Sequence, residues 1–96
     1  MLHILAHSPY ADAALFTRLC NTIEAGDTLL LIEDGVLGVC GEAASALGSF
    51  QGQVFALAAD VEARGLTAKV DPMIGQVDMP GFVRLSAEHA TSISWR

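Results

Sequence analysis

The stretch TLLLIEDGVLGVCGE, residues 28–42, decides the fold. It contains an unbroken apolar run, Leu29–Ile32, which is typical of a central parallel strand that is covered on both faces. Glu33 and Asp34 end the run, and Gly35 follows. Because ligands of parallel sheets bind beyond the carboxyl ends of the strands, the stretch predicts a buried strand whose end lies at the functional edge of the sheet.

Similar apolar segments lie on both sides of this strand. Residues 2–7, LHILAH, and residues 53–59, QVFALAA, are short apolar runs bounded by turn-forming residues, and we expect both to be buried strands. Residues 74–79 predict a weaker fourth strand, and residues 92–95 predict a short fifth one.

Segments with helical spacing fill the intervals between the strands. The first helix begins at Pro9 with Ser8 as its cap, or after Asp12, and it ends at Glu24 before Gly26. Further helical segments are predicted at residues 41–50, 60–66 and 80–90, and the inner face of the last is expected on or near Phe82, Val83, Leu85 and His89. This alternation predicts one α/β domain over residues 1–96, a three-layer sandwich with a mainly parallel five-stranded sheet.

Composition restricts the classes of partner. The 96 residues include five basic and eleven acidic side chains, for a net charge of −6. The basic residues are scattered, so we expect no direct binding of nucleic acid. Hydrophobic residues make up 52% of the chain, which favours burial in an oligomer. The sequence shows no membrane-spanning run and no signal peptide at MLHILAHSP, which predicts a cytoplasmic location and free thiols.

Cofactor and metal signatures are missing from the sequence. It has neither a P-loop nor a GxGxxG motif, so no nucleotide cofactor is expected. Its three histidines and two cysteines lack metal-ligand spacing, and no metal site is predicted. His3 alternates within the first strand and is expected in the core, whereas His7 ends that strand and is expected in the crevice.

Glu33 and Asp34 are adjacent, so on an extended chain their side chains point to opposite sides and cannot form one acid–base pair. The Asp34-Gly35 pair is also a common turn signal. Two interpretations stay open for Glu33, Asp34 and Gly35: a structural turn, or the edge of an interface or crevice.

The two cysteines allow similar alternatives. Cys20 lies on the apolar stripe of the first helix, where it is either a small core residue or a sulfur carrier. Cys40 precedes Gly41 at the start of a helix, a position that lowers a thiol pKa. It is either a reactive thiol or a small residue in a tight turn, and we expect it to be the more exposed of the two.

Four stretches carry a resemblance that covers nearly the whole chain: MLHILAHSP, AGDTLLLIEDGV, VFALAADVEARGL and DMPGFVRLSAEHATSISW. Together they resemble the TusB/DsrH family of sulfur-relay proteins, and they are more similar to its TusB branch. The resemblance implies a DsrE/F/H-like, flavodoxin-like α/β fold. It also implies assembly with TusC- and TusD-like homologous subunits, in exchange with TusA- and TusE-like sulfur carriers.

The activity that this resemblance implies is transfer of persulfide sulfur toward 2-thiolation of the tRNA wobble uridine. Each step is attack of a thiolate on a persulfide, as in thiol–disulfide exchange. Catalytic sister subunits have a cysteine near the end of the third strand, where this chain has Leu57-Ala58-Ala59-Asp60. The resemblance therefore favours a non-catalytic subunit.

Two alternatives to that function stay open. Some DsrH-type members have a cysteine in the first helix, which makes Cys20 the candidate carrier of a sulfurtransferase subunit in sulfur oxidation. The other alternative is a homo-oligomeric α/β domain without a role in sulfur transfer.

Overall fold

Strands and helices alternate along the computed structural model, which describes residues 1–95. The strands are β1 (Leu2–Leu5), β2 (Thr28–Leu31), β3 (Gln53–Leu57), β4 (Gly75–Val77) and β5 (Ser92–Trp95). The α-helices are α1 (Ala13–Thr22), α2 (Gly41–Leu47), α3 (Ala58–Ala63) and α4 (Met79–Glu88). Two 3-10 helices cover Glu33–Val39 and Thr67–Lys69.

The five strands form one sheet in the order β4-β3-β2-β1-β5, and every neighbouring pair is parallel. The register places Leu31 of β2 beside Leu5 of β1 and Ala56 of β3. This confirms the predicted α/β fold, and the sheet is wholly rather than mainly parallel. The carboxyl ends of β1, β2 and β3 therefore meet at one edge.

One face of the sheet is covered by α1, α2 and α3. The first three crossovers all step in the same direction along the sheet, and right-handed crossovers of this kind place their helices on the same face. Alternate strand residues, Leu29 and Leu31 among them, point into this layer. They pack with helix residues that are fully or almost fully buried: Leu15, Phe16, Leu19, Ala43, Ala44, Leu47 and Val61.

Among the described residues, α4 alone covers the other face. The connection from β4 returns across the sheet to bring β5 beside β1, so its helix lies on the opposite face. Leu85 of α4 packs there against Leu2 and Leu30, which form a second, smaller buried cluster. Apolar residues that are only partly buried surround this cluster: Ile4, Ile32, Phe55, Val77 and Phe82.

The start of α1 decides between the two predicted caps. Asp12 is the N-cap, because its Oδ1 atom accepts a hydrogen bond from the N–H of Leu15 at 3.1 Å. The Oγ atom of Ser8 instead accepts hydrogen bonds from the N–H groups of Tyr10 and Ala11, at 3.1 and 3.2 Å. Ser8 thus stabilises the turn that precedes the helix, as short hydroxyl side chains commonly do.

The structure differs from the prediction in several details. The third strand does not reach residue 59, because Ala58 already begins α3; alanine suits a helix as well as a buried strand, so hydrophobicity did not mark the boundary. Val83 lies on the outer side of α4 and is 64% exposed. Glu33–Val39 forms a 3-10 helix rather than a simple turn, and its period of three residues buries both Val36 and Val39.

Candidate functional site at the carboxyl edge of the sheet

Glu33 leaves the end of β2 in an unusual backbone conformation. Its φ angle is 51°, in the left-handed region that residues other than glycine rarely adopt. Its backbone N–H donates a hydrogen bond to a carboxylate oxygen of Asp60, with 2.7 Å between N and Oδ2. A charged acceptor strengthens this bond, so it offsets a backbone strain of about 1–3 kcal/mol and directs the chain toward α3.

Gly35 allows the 3-10 helix to lie directly against β1. A Cβ atom at this position would overlap the carbonyl oxygen of Leu5. That oxygen already accepts a hydrogen bond from the N–H of Ile32 at 3.0 Å, so it belongs to the sheet and cannot move away freely. Glycine is therefore required here for close approach of two backbones.

Arg64 connects the same edge to α3. Its Nε and Nη2 atoms donate hydrogen bonds to Oδ1 of Asp34, at 3.1 and 2.9 Å. Its Nη1 atom also donates to the carbonyl oxygen of Asp60 at 3.3 Å and lies 3.8 Å from a carboxylate oxygen of that residue. Because Asp34 is 66% exposed, this ion pair contributes little stability and acts mainly to position the loop.

The structure thus brings Glu33, Asp34 and Gly35 together with Asp60 and Arg64 in one cluster, which we call the acidic edge. The sequence interpretation missed Asp60 and Arg64. Their separation of four residues within a helix was the available signal, since such pairs lie on the same helix face. The role of Glu33, Asp34 and Gly35 at an interface or crevice stays a prediction.

A shallow crevice adjoins the acidic edge on the α4 face, beyond the ends of β1, β2 and β5. Its volume is about 280 Å³. The lining residues are Ile4, Ala6, His7, Ile32, Glu33, Ser94 and Trp95. His7 is exposed there, in agreement with the position predicted for it.

Cys20 lies on α1 and is half-buried, packed against the large core cluster. Burial raises the pKa of the Cys20 thiol, because desolvation disfavours the charged thiolate. The residue nevertheless borders two cavities, of about 430 and 370 Å³, along the groove between α1 and α2. Cys20 is therefore a core residue on one side and partly accessible on the other.

Cys40 immediately precedes α2 and is also half-buried. Both cysteines fall in the same range of exposure and both pack against the large core cluster. The carbonyl oxygen of Cys40 accepts a hydrogen bond from the Oη atom of Tyr10 at 2.7 Å. The Oη atom of Tyr10 in turn accepts a hydrogen bond from the N–H of Ala43 at 3.1 Å. The tyrosine hydroxyl therefore caps the start of α2, a role that the sequence did not indicate.

The opposite edge of the sheet holds a buried polar network that the sequence also did not indicate. His3 is 1% exposed, which confirms its predicted place in the core. Its ring contacts Asp27, which precedes β2, and Trp95 of β5. The available signal was His3 itself, a polar residue within an apolar strand. A buried histidine needs hydrogen-bond partners for both ring nitrogens.

The described residues contain neither a metal-binding cluster nor a membrane-spanning helix. Within residues 1–95, no group of three or more His, Cys, Asp or Glu side chains is placed to hold a metal ion. The helices of that range also include none that is long and apolar enough to cross a membrane.

Comparison with known proteins gives consistent matches over the whole chain. The family model described as "DsrH like protein" matches residues 7–92. Protein TusB of Enterobacter sp. (strain 638) is 40% identical, and the alignment covers 99% of this chain and 100% of that protein. Protein TusB of Sodalis glossinidius is 41% identical over the same shares, and Protein TusB of Escherichia coli (strain SMS-3-5 / SECEC) is 38% identical.

A solved structure supports the fold. The solution NMR structure of protein Tm0979 from Thermotoga maritima superposes with a TM-score of 0.68 over 93% of this chain and 94% of that one. At 19% identity this likeness concerns the fold alone. The full-length identity to the TusB proteins and the match to the DsrH model establish that the chain belongs to the TusB/DsrH family.

Proposed function

We propose that this protein is a structural, non-catalytic subunit of a cytoplasmic sulfur-relay complex. The complex passes persulfide sulfur toward 2-thiolation of the tRNA wobble uridine. Membership of the TusB/DsrH family supports this function, because the family resemblance implies sulfur relay in tRNA modification.

The observation that carries the non-catalytic role is the acidic edge. Sulfur transfer requires a thiolate that attacks the outer sulfur of a persulfide while the donor leaves as a thiolate. Near the end of β3, where the resemblance implies a cysteine in the catalytic sister subunits, this chain has Leu57-Ala58-Ala59-Asp60 and no thiol. The Asp60 carboxylate accepts the hydrogen bond from the Glu33 N–H and lies beside Arg64. These contacts support a structural use of the position.

Partners follow from the same proposal. We infer that the protein assembles with TusC- and TusD-like homologous subunits and serves TusA- and TusE-like carriers. The edge formed by Glu33, Asp34 and Gly35 is the proposed contact surface, since exposed charges there give a partner a specific orientation. A net charge of −6 argues against direct contact with tRNA, so the complex reaches RNA through another subunit.

One observation favours a second function. Cys20 borders both cavities of the groove between α1 and α2, so its thiol is partly accessible despite its apolar surroundings. In this alternative the protein is a DsrH-like sulfurtransferase subunit with Cys20 as the persulfide carrier. The raised thiol pKa works against it, because a smaller fraction is thiolate at neutral pH.

The test combines assembly with sulfur transfer. The protein is co-expressed with the homologous subunits of its own genome, and its sedimentation is compared with that of the single chain. Persulfide on each subunit is detected by the mass of one added sulfur atom. Thiolated tRNA is measured in a strain that lacks the native gene.

Three variants separate the hypotheses. We expect Cys20→Ala to assemble and to restore tRNA thiolation, since alanine removes the thiol without adding a polar group. Cys40→Ser is the control for loss of the other thiol, because Cys40 is also half-buried and has no proposed role. Loss of transfer in an assembled Cys20→Ala complex would establish the carrier function. A monomer without co-purifying chains at micromolar concentration would overturn the subunit proposal.

In the third variant, Arg64→Gln, the guanidinium that holds Asp34 is replaced. We expect weaker assembly and little change in the stability of the isolated chain, because exposed ion pairs contribute at most about 1 kcal/mol. Normal assembly by this variant would argue against the acidic edge as the contact surface.

A further inference from the structure

The imidazole ring of His3 lies between a carboxylate and an indole. Its Nε2 atom is 3.0 Å from Oδ2 of Asp27, and its Nδ1 atom is 3.1 Å from Nε1 of Trp95. The ring is almost completely buried, so water does not replace either partner. The centroids of the histidine and tryptophan rings are 6.1 Å apart.

The chemistry of the two partners determines where the ring carries its proton. An indole N–H can only donate a hydrogen bond, so Nδ1 of His3 must accept with its lone pair. A carboxylate can only accept, so the hydrogen lies on Nε2 and points toward Asp27. The geometry therefore selects the neutral Nε2–H tautomer of His3, which satisfies both partners.

Within residues 1–95, the charged groups around His3 come from two segments. The segment between α1 and β2 contributes Asp27 and Glu24. Met1, which precedes β1, contributes its amino group, which lies 3.1 Å from Oδ1 of Asp27. The residues that β5 contributes, Ile93 and Trp95, carry no charge. A protonated ring is therefore attracted by the Asp27 carboxylate on its Nε2 side, while its new N–H group on Nδ1 faces the indole N–H of Trp95.

Trp95 is the main side-chain anchor of β5. Ser92, Ile93 and Ser94 are exposed, and only Trp95 is half-buried. Strand β5 is also an edge strand of four residues, paired on one side with β1. Such a strand depends strongly on the few side-chain contacts that it makes.

We propose that neutral His3 holds β5 in place through its hydrogen bond with the indole of Trp95, and that protonation of His3 breaks this bond. When Nδ1 takes up a proton, the ring keeps its contact with Asp27 but no longer accepts the indole N–H. Two hydrogen-bond donors then face each other at about the hydrogen-bond distance, and the tryptophan must turn away. Because Trp95 is the only half-buried residue of β5, protonation loosens this edge strand beside the crevice.

Nuclear magnetic resonance on the unmodified full-length chain tests this directly. At neutral pH, the ¹⁵N shifts of His3 should identify the Nε2–H tautomer. On acidification, the indole N–H resonance of Trp95 should shift together with protonation of His3. Over the same interval, the protection factors of the β5 amides, which correct for the pH dependence of intrinsic exchange, should fall about fivefold to tenfold, as expected for loss of one hydrogen bond, whereas those of β2 should not.

Variants provide the controls. Trp95 is the only tryptophan, so its fluorescence gives a second readout of the same transition. His3→Gln should abolish the change, and a His7→Gln, His89→Gln double variant, which removes the other two histidines, should retain it. The Nδ1–H tautomer at neutral pH, or β5 protection that is unchanged when His3 is protonated, would overturn the proposal. Both measurements use the unmodified chain, so they stand even if His3→Gln does not fold.

Discussion

Replacement of Asp27 by asparagine should expose how much the buried polar network contributes to stability. The Asp27 carboxylate accepts hydrogen bonds from the N–H of Glu24 at 3.0 Å, from His3 at 3.0 Å and from the amino group of Met1 at 3.1 Å. These contacts, with the backbone bond from Glu24 the largest, lower the pKa of Asp27 to about 2, while burial acts in the opposite direction.

The magnitude follows from linkage between protonation and folding. An aspartate in an unfolded chain has a pKa of about 3.9, and each unit of difference corresponds to about 1.36 kcal/mol. The side chain is 15% exposed, so solvent screens it in part. We therefore expect the ionised carboxylate to contribute about 2 kcal/mol.

The sign defines the pH window. Because the folded state lowers the pKa, the contribution is complete above about pH 5 and is lost as the pH falls through about 4 toward 2. Asp27→Asn should be about 2 kcal/mol less stable than the unmodified protein at pH 7. The difference between the two proteins should become small as the pH falls to about 2, where the Asp27 carboxylate takes up its proton.

Urea unfolding followed by circular dichroism measures this difference between pH 2.5 and 7 at one protein concentration. Glu62→Gln is the control, since its side chain is exposed, and it should change the free energy of unfolding by less than about 0.5 kcal/mol. A difference between the Asp27→Asn and unmodified proteins that does not vary with pH would refute the linkage reasoning, and so would no difference at pH 7.

Four further outcomes are expected. Tyr10→Phe removes both hydrogen bonds at the start of α2 and should lower the free energy of unfolding by about 1 kcal/mol, measured by urea titration. Gly35→Ala forces a Cβ atom into the backbone of β1 and should cost about 3 kcal/mol or prevent folding. Gly48→Ala, at a helical φ angle, is the control and should be nearly neutral in the same titration. Alkylation followed by peptide mass spectrometry should modify Cys40 before Cys20, because burial raises the pKa of the Cys20 thiol; the reverse order would contradict this. The isolated protein should show no salt-dependent tRNA binding in a filter assay at physiological salt.

The strands were predictable because each is an uninterrupted apolar run. Parallel strands buried on both faces must be apolar at every position, as β2 is. The same property explains the error at Ala58, since an alanine-rich boundary reads equally well as strand or helix. Val83 was predicted on the inner side of α4 but lies on its outer side. Because no neighbouring helix packs beside α4 in the described residues, only a narrow stripe of this helix is buried, formed by Gly81 and Leu85.

The candidate site was only partly predictable for a different reason. Glu33, Asp34 and Gly35 are marked by their position after a buried strand, which is local information. Their contacts with Asp60 and Arg64 depend on how α3 packs against the 3-10 helix, and that packing is tertiary. The same holds for His3 and Trp95, which are brought together only when the sheet is complete.

The position of β5 beside β1 has a consequence for the order of folding during synthesis. Strands β1 to β4 pair with neighbours that are close in sequence, so this part of the sheet can form as the chain leaves the ribosome. The β1–β5 pair instead joins residues from nearly opposite ends of the sequence, such as His3 and Ile93. Until β5 is made, β1 is an open edge and His3 lacks its tryptophan. A nascent chain is therefore most exposed to wrong strand pairing at β1, and docking of β5 is the step that ends this period.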